Sequence, residues 1–275
     1  MIALKPWLRR AAPAVLAVIA IAGSASAAHH AAIKTAVRKA VEAHPSALWH
    51  VVHDLCVTDM KARGGAAPCA MVSLGGGYAV VRDVGRSSQL LLVPTARVSG
   101  IESSALLARR SPNYWQAAWS ARGLFERRLG RAVPRQDLGL AINSVATRTQ
   151  DQLHIHIDCV RPDVVAALAA NEGRISARWS RLPGPLFSGR YRARWIEGSD
   201  LSAADPFKLL AHGDAAARAD MGRQSLLVVG AARGGRAGFI LVSHRDDPVH
   251  LDVVPAEALL DHSCSVLTQR RAQRS

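Results

Sequence analysis

Aromatic residues are scarce in this sequence, and acidic residues are outnumbered by basic ones. Only 5% of the 275 residues are aromatic although 49% are hydrophobic, so the core must be built mainly from Ala, Val and Leu. The 35 basic and 21 acidic residues give a net charge of +14, which favours anionic partners such as phosphate-bearing ligands, acidic lipids or nucleic acid. No nucleic-acid motif and no basic repeat with interleaved aromatics accompanies this charge, so much of it is expected to be a solvated surface.

Long apolar runs are limited to the N terminus. The run from Ala11 to Ala22 follows a positive segment with Lys5, Arg9 and Arg10 and precedes small residues at 24–27. This is the pattern of a secretory signal. The run is shorter than the about 20 residues of a membrane span, but Ala and Gly extend it to about Ala28. We expect residues 1–28 to be a signal or a membrane anchor and residues 29–275 to form the exported domain.

Cysteine is also rare, and no C-x-x-C pair is present, which disfavours zinc-finger and thioredoxin-like proteins. The four cysteines are Cys56, Cys69, Cys159 and Cys264. An even number in an exported chain predicts two disulfides, for which three pairings exist. We favour Cys56–Cys69, which closes a polar, Gly-rich loop, and Cys159–Cys264, which ties a histidine-containing strand to the C-terminal segment. Buried free thiols are the alternative.

Hydrophobic periodicity predicts an α+β fold with a mainly antiparallel sheet. Helices are predicted over Ile33–His44, Ser46–Asp54, from Ser111 and Pro112 to about Gly130, from Pro162 to about Asn171, and over Pro255–Leu267. Strands are predicted over Tyr78–Val81, Leu90–Val93, Leu138–Asn143, Leu153–Val160, Leu226–Gly230 and Phe239–Ser243. The last two strands echo the first hairpin, which suggests an internal pseudo-repeat with a second half from about residue 183.

The segment QLHIHIDC contains the residues with the strongest chemical potential. In a strand, His154, His156 and Asp158 share one face, while the apolar residues between them pack on a core. Three interpretations are open. The polar face is solvated and inert, or the three residues are zinc ligands, or a neutral imidazole attacks a phosphorus atom and forms a phosphohistidine. The zinc interpretation fits an exported zinc-dependent hydrolase, because H-x-H-x-D resembles the start of the metallo-β-lactamase motif, although Cys159 stands where that motif has His.

The segment also resembles the motif H-φ-H-φ-H-φ-φ of the histidine-triad superfamily. In INSVATRTQDQLHIHIDC, Asn143 lies eleven residues before His154 with Gln150 between, as in histidine-triad nucleotide hydrolases. The segment YAVVRDVGRSSQLLLVPTARV is similar to the nucleotide-pocket hairpin of that superfamily, with Asp83 at the position of a ribose-binding acid.

The joint pattern resembles one family most closely, that of the CDP-diacylglycerol pyrophosphatases. LLVPTARVSGIES, LAINSVATRTQ, LHIHIDCVRPDV, DHSC and the four cysteine positions carry this resemblance, which covers roughly Ala31 to Leu267. It implies a histidine-triad-like fold and a single-pass bacterial inner-membrane anchor with the catalytic domain on the periplasmic side. It also implies hydrolysis of CDP-diacylglycerol to CMP and phosphatidate in phospholipid metabolism, without a cofactor. A nucleotide- or lipid-binding protein without activity is the remaining alternative.

The resemblance assigns a role to each position of the motif. It makes His156 the nucleophile and His154 a residue that orients it or holds phosphate. Asp158 stands at the third histidine position, where it is expected to accept a hydrogen bond from His154 or His156.

The resemblance also assigns the substrate-binding positions. Asn143 and Gln150 would bind ribose or phosphate, and Asp83 would bind the ribose hydroxyls. Arg97 and Arg148 are basic candidates for phosphate. Juxtamembrane basic residues would favour an anionic membrane surface as partner; they are Lys34, Arg38 and Lys39.

Overall fold

The computed structural model describes residues 44–83, 88–184 and 191–272. The predicted signal or anchor over residues 1–28, the predicted helix before His44 and the juxtamembrane basic residues lie outside these ranges. Within the described ranges, no helix is both long enough and apolar enough to cross a membrane.

The described chain alternates helices with strands. The strands are β1 (Met71–Ser73), β2 (Tyr78–Arg82), β3 (Leu90–Pro94), β4 (Leu138–Ile142), β5 (Ile155–Val160), β6 (Ser180–Arg181), β7 (Tyr191–Glu197), β8 (Gln224–Arg233), β9 (Arg236–Arg245) and β10 (Leu260–Asp261). The α-helices are α1 (Ala47–His50), α2 (Val57–Arg63), α3 (Tyr114–Ser120), α4 (Arg122–Leu129), α5 (Pro162–Ala170), α6 (Pro206–Gly213), α7 (Ala215–Ala219) and α8 (Ser265–Ala272). Short 3-10 turns lie at Ser104–Leu107, Arg135–Asp137, Glu172–Arg174, Met221–Arg223, Pro248–His250 and Ala256–Leu259.

The strands form one ten-stranded sheet in which every pair is antiparallel, as the sequence predicted. The order is β1-β2-β3-β5-β4-β8-β9-β7-β6. β10 pairs with β5 through Leu260 opposite Val160 and Asp261 opposite Cys159. β5 therefore lies in the interior of the sheet, with β4 on one side and β3 followed by β10 on the other.

The two halves of the sheet repeat the same order of elements. From the centre outward, the first half runs β4, β5, β3, β2 and the second runs β8, β9, β7, β6. Along the chain, each half has two outer strands, then helices, then two inner strands. The hairpin β8–β9 therefore corresponds by position to β4 and β5, and not to the β2–β3 hairpin that its sequence echoes.

The two faces of the sheet are covered differently. On one face, Ile155 and Ile157 pack with Trp115 and Phe125 of α3 and α4 in the largest apolar cluster. On the other face, α1, α2 and the segment between them cover β2 and β3, while α5 covers the second half of the sheet. The polar face of β5 lies between these two groups of helices. Leu91 of β3 packs with α1 and α2, and Val160 of β5 packs with α5.

We call the sheet end at which β4 ends and β5 begins the histidine end. The register of the sheet brings the β1–β2 turn, the segment after β3, the β4–β5 loop and the segment after β9 to this same end. The paired residues nearest to it are Ser73–Tyr78, Tyr78–Pro94, Ile142–Leu226 and Gln224–Arg245. The described chain also starts here, because Gln150 Nε2 donates to the His44 carbonyl oxygen at 3.3 Å.

Both favoured disulfides are present. Cys56 is bonded to Cys69, and Cys159 is bonded to Cys264. The second bond joins β5 to the residue just before α8, so it fixes the C-terminal segment onto the strand that carries the histidines.

Two helix predictions were wrong in extent. The helix predicted to stop at Asp54 continues through the π-helical segment Val51–Cys56 into α2, so half of the expected disulfide loop is helical. The helix predicted from Pro112 starts at Tyr114, because the Asn113 side chain accepts the hydrogen bond from Gln116 N and caps it. It is also interrupted at Ala121, between α3 and α4.

The predicted closing helix over Pro255–Leu267 was wrong in kind. This segment forms the 3-10 turn Ala256–Leu259, then β10, and only then α8. Pairing with β5 outweighs the local helical pattern, because Leu260 is buried against the second half of the sheet. This difference matters for function, because the turn and the residues after β10 place the side chains of Glu257 and His262 over the polar face of β5.

Candidate active site

The histidine segment forms a buried polar strip in the interior of the sheet. His154 comes directly before β5, and His156 and Asp158 lie within it on the same face. All three side chains are buried. The interpretation of this face as solvated and inert is therefore wrong, because buried polar side chains require partners or a bound ligand.

His154 is held as a neutral imidazole. Its Nδ1 lies 2.8 Å from the carbonyl oxygen of Gln152, so Nδ1 carries the proton and donates it. Burial lowers the pKa of His154, and this effect exceeds the opposing effects of the Gln152 carbonyl and of the Glu257 and Asp83 carboxylates. The ring of His154 meets that of His156 edge to face at 4.9 Å between centroids.

His156 is oriented by a carboxylate that sequence reasoning missed. Its Nδ1 lies 3.3 Å from Oε2 of Glu257, which belongs to the 3-10 turn Ala256–Leu259. The backbone N–H of Glu257 donates to Oδ1 of Asn143 at 3.1 Å. Asn143 therefore fixes the turn that carries Glu257 and places the Glu257 carboxylate beside Nδ1 of His156. Because a helix was predicted over this turn, the contact between Glu257 and His156 was not expected.

Asp158 does not orient the other two members of its strip, contrary to the expectation. Its Oδ2 accepts from Nδ1 of His262 at 2.7 Å, and its Oδ1 accepts from Ser88 Oγ at 2.7 Å and from Cys159 N at 2.9 Å. Side chains two residues apart on a strand project in parallel about 6.6 Å apart, which is too far for a direct hydrogen bond between Asp158 and His156. Burial raises the pKa of the Asp158 carboxyl, although each of these hydrogen bonds opposes that shift.

His262 is the second site residue that the sequence did not reveal. It follows β10, whose Asp261 pairs with Cys159, and it precedes the disulfide-bonded Cys264. The Ser88 hydroxyl also lies 2.9 Å from the His262 carbonyl oxygen. The strand pairing, the disulfide and Ser88 together hold an imidazole over the third position of the motif. DHSC is the only sequence signal of this arrangement.

The basic and amide candidates at the histidine end all have protein partners. Arg148 is mostly buried and forms ion pairs with Glu102 at 2.5 Å and with Asp151 at 3.0 Å. Gln150 accepts from Leu48 N at 2.9 Å, so its amide caps α1. Arg97 is exposed, donates to Ser46 Oγ at 3.0 Å and stacks over the Trp49 ring.

These contacts leave the predicted substrate roles of the three residues open. Gln150 and Arg148 would each have to exchange a present partner for substrate, whereas Arg97 is accessible.

Asp83 and Gln89 lie at the opposite end of the strip. Asp83 N donates to the Gln89 carbonyl oxygen at 3.2 Å, which continues the β2–β3 ladder. Continuing the β3–β5 register by one residue from Leu90 opposite Ile157 places Gln89 beside Asp158. Gln89 is 0% exposed, and among the described residues neither polar atom of its side-chain amide has a hydrogen-bond partner. Such an amide is costly to bury, so it is a further candidate for contact with bound substrate.

The described residues do not form a zinc site from the histidine segment. Among them, the cluster of potential ligand atoms nearest to a metal-binding arrangement is Asp158 with Cys159 and Cys264, and both thiols are consumed by the disulfide. Asp158 is directed to His262 and His154 Nδ1 to a backbone carbonyl, so the three predicted ligands do not converge on one point.

The comparisons with known proteins show the family to which the chain belongs. The model of the family described as CDP-diacylglycerol pyrophosphatase matches residues 43–268. A Yersinia pestis protein named CDP-diacylglycerol pyrophosphatase is 40% identical over 221 residues, which are 80% of this chain and 84% of that protein. The chain therefore belongs to the CDP-diacylglycerol pyrophosphatase family, whose activity it shares.

Proposed function

We propose that this enzyme hydrolyses CDP-diacylglycerol to CMP and phosphatidate through a covalent intermediate on His156. Nε2 of His156 attacks the cytidylyl phosphorus, and the bond from that phosphorus to the anhydride oxygen breaks. Phosphatidate leaves with the electron pair of that bond. Water then attacks the phosphohistidine and releases CMP with His156 regenerated. The observation that supports this assignment is the 3.3 Å separation of His156 Nδ1 from Glu257 Oε2, because a carboxylate beside Nδ1 leaves Nε2 as the attacking nitrogen.

Glu257 stabilises the intermediate as well as the nucleophile. Phosphorylation of Nε2 makes the imidazole ring cationic, and a carboxylate beside Nδ1 favours that charge in a buried, weakly screened site. His154 contributes in a different way. Its lowered pKa keeps it neutral, so it does not repel the positive charge that develops on His156.

The third position of the motif acts through His262. A carboxylate such as Asp158 cannot donate to a phosphate oxygen, but the His262 that it holds can donate from Nε2 in its imidazolium form, with both ring nitrogens protonated. Asp158 accepts the hydrogen bond that Nδ1–H of His262 donates, which leaves Nε2 of His262 to interact with substrate. A strong general acid is unnecessary for the leaving group, because the phosphate of phosphatidate is already acidic.

The architecture supports a histidine-triad-like fold for the first half. The histidine strand β5 lies between β3 and β4, and helices α3 and α4 cover its apolar face. We extend the proposal to location: a single-pass N-terminal anchor in the inner membrane with this domain on the periplasmic side. The two disulfides support an oxidising compartment.

The test is CMP release from CDP-diacylglycerol in detergent micelles, with and without EDTA. Wild-type release should survive EDTA, and His156→Ala should abolish it while the exposed His212→Ala retains it. Wild-type enzyme quenched in alkaline denaturant should carry a cytidylyl label that is stable in base and lost in acid, as a phosphoramidate is. EDTA-sensitive release that zinc restores, or a labelled His156→Ala protein, would contradict the mechanism.

A further inference from the structure

The exposed large hydrophobic side chains of the described chain all lie at the histidine end. They are Leu74 and Val145, each 46% exposed, Val249 at 84% and Leu251 at 92%. Leu74 is in the β1–β2 turn, Val145 follows β4, and Val249 and Leu251 follow β9. Scattered exposed apolar residues are ordinary, but Val145, Val249 and Leu251 follow β4 and β9, which only β8 separates in the sheet. We call these three residues the apolar patch, which marks an interaction surface, and Leu74 lies at the same end towards the β1 edge of the sheet.

The loop that carries Val249 and Leu251 is held in place by its own contacts. Asp247 and Asp252 form a backbone bridge with N···O distances of 2.7 and 2.9 Å, and His250 Nδ1 lies 2.6 Å from Asp247 Oδ2. Leu251 has φ of 56°, a left-handed conformation that a branched aliphatic residue rarely adopts. The fold therefore exposes both side chains on a fixed loop and holds Leu251 in a locally unfavourable conformation, which indicates a function.

The patch is connected to the active site by two short segments. The loop with Val249 and Leu251 continues into Glu257, which contacts His156. Val145 comes two residues after Asn143, whose side chain accepts the hydrogen bond from Glu257 N. The substrate of the family is a lipid whose diphosphate is joined to acyl chains. A patch beside the reacting diphosphate is where those chains have to be accommodated.

Two further features of this end suit a membrane surface. Arg97 is exposed and stacks over the partly exposed Trp49 ring at 5.4 Å, and Trp and Arg are favoured where protein meets lipid headgroups. The described chain also begins at His44 at this end, so the preceding residues, with the apolar run of Ala11 to Ala22, join the domain here.

We propose that the histidine end docks on the bilayer that contains the substrate, with Val249 and Leu251 inserted among the lipid chains. Leu74 and Val145 then lie at headgroup level, and Arg97 contacts lipid phosphate. This surface brings the scissile diphosphate to His156 while the acyl chains remain in the membrane. The inference rests on the lipid substrate of the proposed function, but it does not require turnover to be tested.

Single-cysteine labelling of the full chain tests the proposal directly. All four native cysteines are in disulfides, so Leu251→Cys supplies the only thiol for an environment-sensitive fluorophore. The matched control is Arg236→Cys, at the first residue of β9 and the opposite end of the sheet, where the side chain is 76% exposed. Both proteins are reconstituted in vesicles of phosphatidylcholine and phosphatidylglycerol without substrate. Lipids brominated in the acyl chain should quench the label at position 251 and leave that at 236 unaffected.

Equal quenching at both positions, or none at position 251, overturns the proposal. A fluorescence change at position 251 that depends on protein concentration and not on lipid also overturns it, because that result assigns the patch to contact between copies of the chain. These readouts are independent of hydrolysis. A protein that is quenched at position 251 but releases no CMP would retain the docking surface and lose the proposed function.

A double variant provides the functional test. Val249→Ser combined with Leu251→Asn removes the apolar surface, while Asn accepts the left-handed conformation at position 251 and preserves the loop. We expect the apparent KM for CDP-diacylglycerol in vesicles to rise about tenfold or more, with kcat little changed. Val249→Ile with Leu251→Met keeps the surface apolar and should behave as wild type. An unchanged KM in the Ser/Asn variant contradicts the proposal.

Discussion

Glu257 Oε2 lies 3.3 Å from His156 Nδ1, although one residue is in an irregular turn near the C terminus and the other is on an interior strand. The same C-terminal segment delivers His262 to Asp158 a few residues later. In the proposed mechanism, the motif strand therefore carries the nucleophile, and the C-terminal segment carries the groups that set its chemistry.

Glu257→Gln should lower kcat about 100-fold with little change in KM, because it removes the charge that stabilises the cationic intermediate. The amide keeps the size of the side chain, so the turn and its bond to Asn143 should persist. The measurement is steady-state CMP release, with Glu197→Gln, an exposed glutamate on β7, as control. A rise in KM at constant kcat would show that Glu257 binds substrate instead.

Asp158→Asn and His262→Asn should each lower kcat, and the double variant should be little worse than either single variant. The reason is that the two residues act as one hydrogen-bonded unit, so their effects are not additive. The measurement is a double-mutant cycle on kcat across a pH series. His53→Asn, which removes an exposed histidine paired with Asp54 at 2.8 Å, is the matched control. Additive losses in kcat would show that Asp158 and His262 act independently and would contradict this prediction.

Loss of the Cys159–Cys264 disulfide should affect both stability and activity. The bond closes a loop with a sequence separation of 105 residues, so replacing both cysteines by Ser should lower the free energy of unfolding by roughly 2–5 kcal/mol. It should also lower kcat, because His262 loses an anchor. Urea unfolding and CMP release measure the two effects. Cys56→Ser with Cys69→Ser, remote from His262, should lower stability while kcat is retained.

The free energy of unfolding should decrease as pH falls below 6.5, with His154 as one contributor. Burial lowers the pKa of His154 in the folded protein, so in this range the unfolded chain binds a proton that the folded chain does not. The contribution is complete at pH values above 6.5 and is lost towards the lowered pKa. Urea unfolding across this range measures the slope. His154→Gln should flatten it and the exposed His212→Gln should not; equal slopes in wild type and His154→Gln would contradict the assignment.

Local patterns predicted much of the sheet. The alternation of residues 153–160 and the apolar runs of the β2–β3 hairpin were sufficient to predict these strands, because the apolar face of a strand depends only on the order of its own residues. The closing segment failed for the opposite reason. Residues 255–267 have a helical pattern, but pairing with β5 and the disulfide to Cys159 outweigh local propensity. The division of the domain near residue 183 stays a prediction.

The sequence by itself determined the family, the α+β class and which residues share the polar face of β5, whereas the favoured disulfide pairing was one of three until the structure showed it. These follow from local spacing and from the joint pattern of motifs. Only the tertiary structure decided that Glu257 contacts His156, that Asp158 holds His262 and that the exposed apolar residues share one end of the sheet. Each of these relationships joins segments far apart in the chain, and no local periodicity encodes which distant segment a strand will contact.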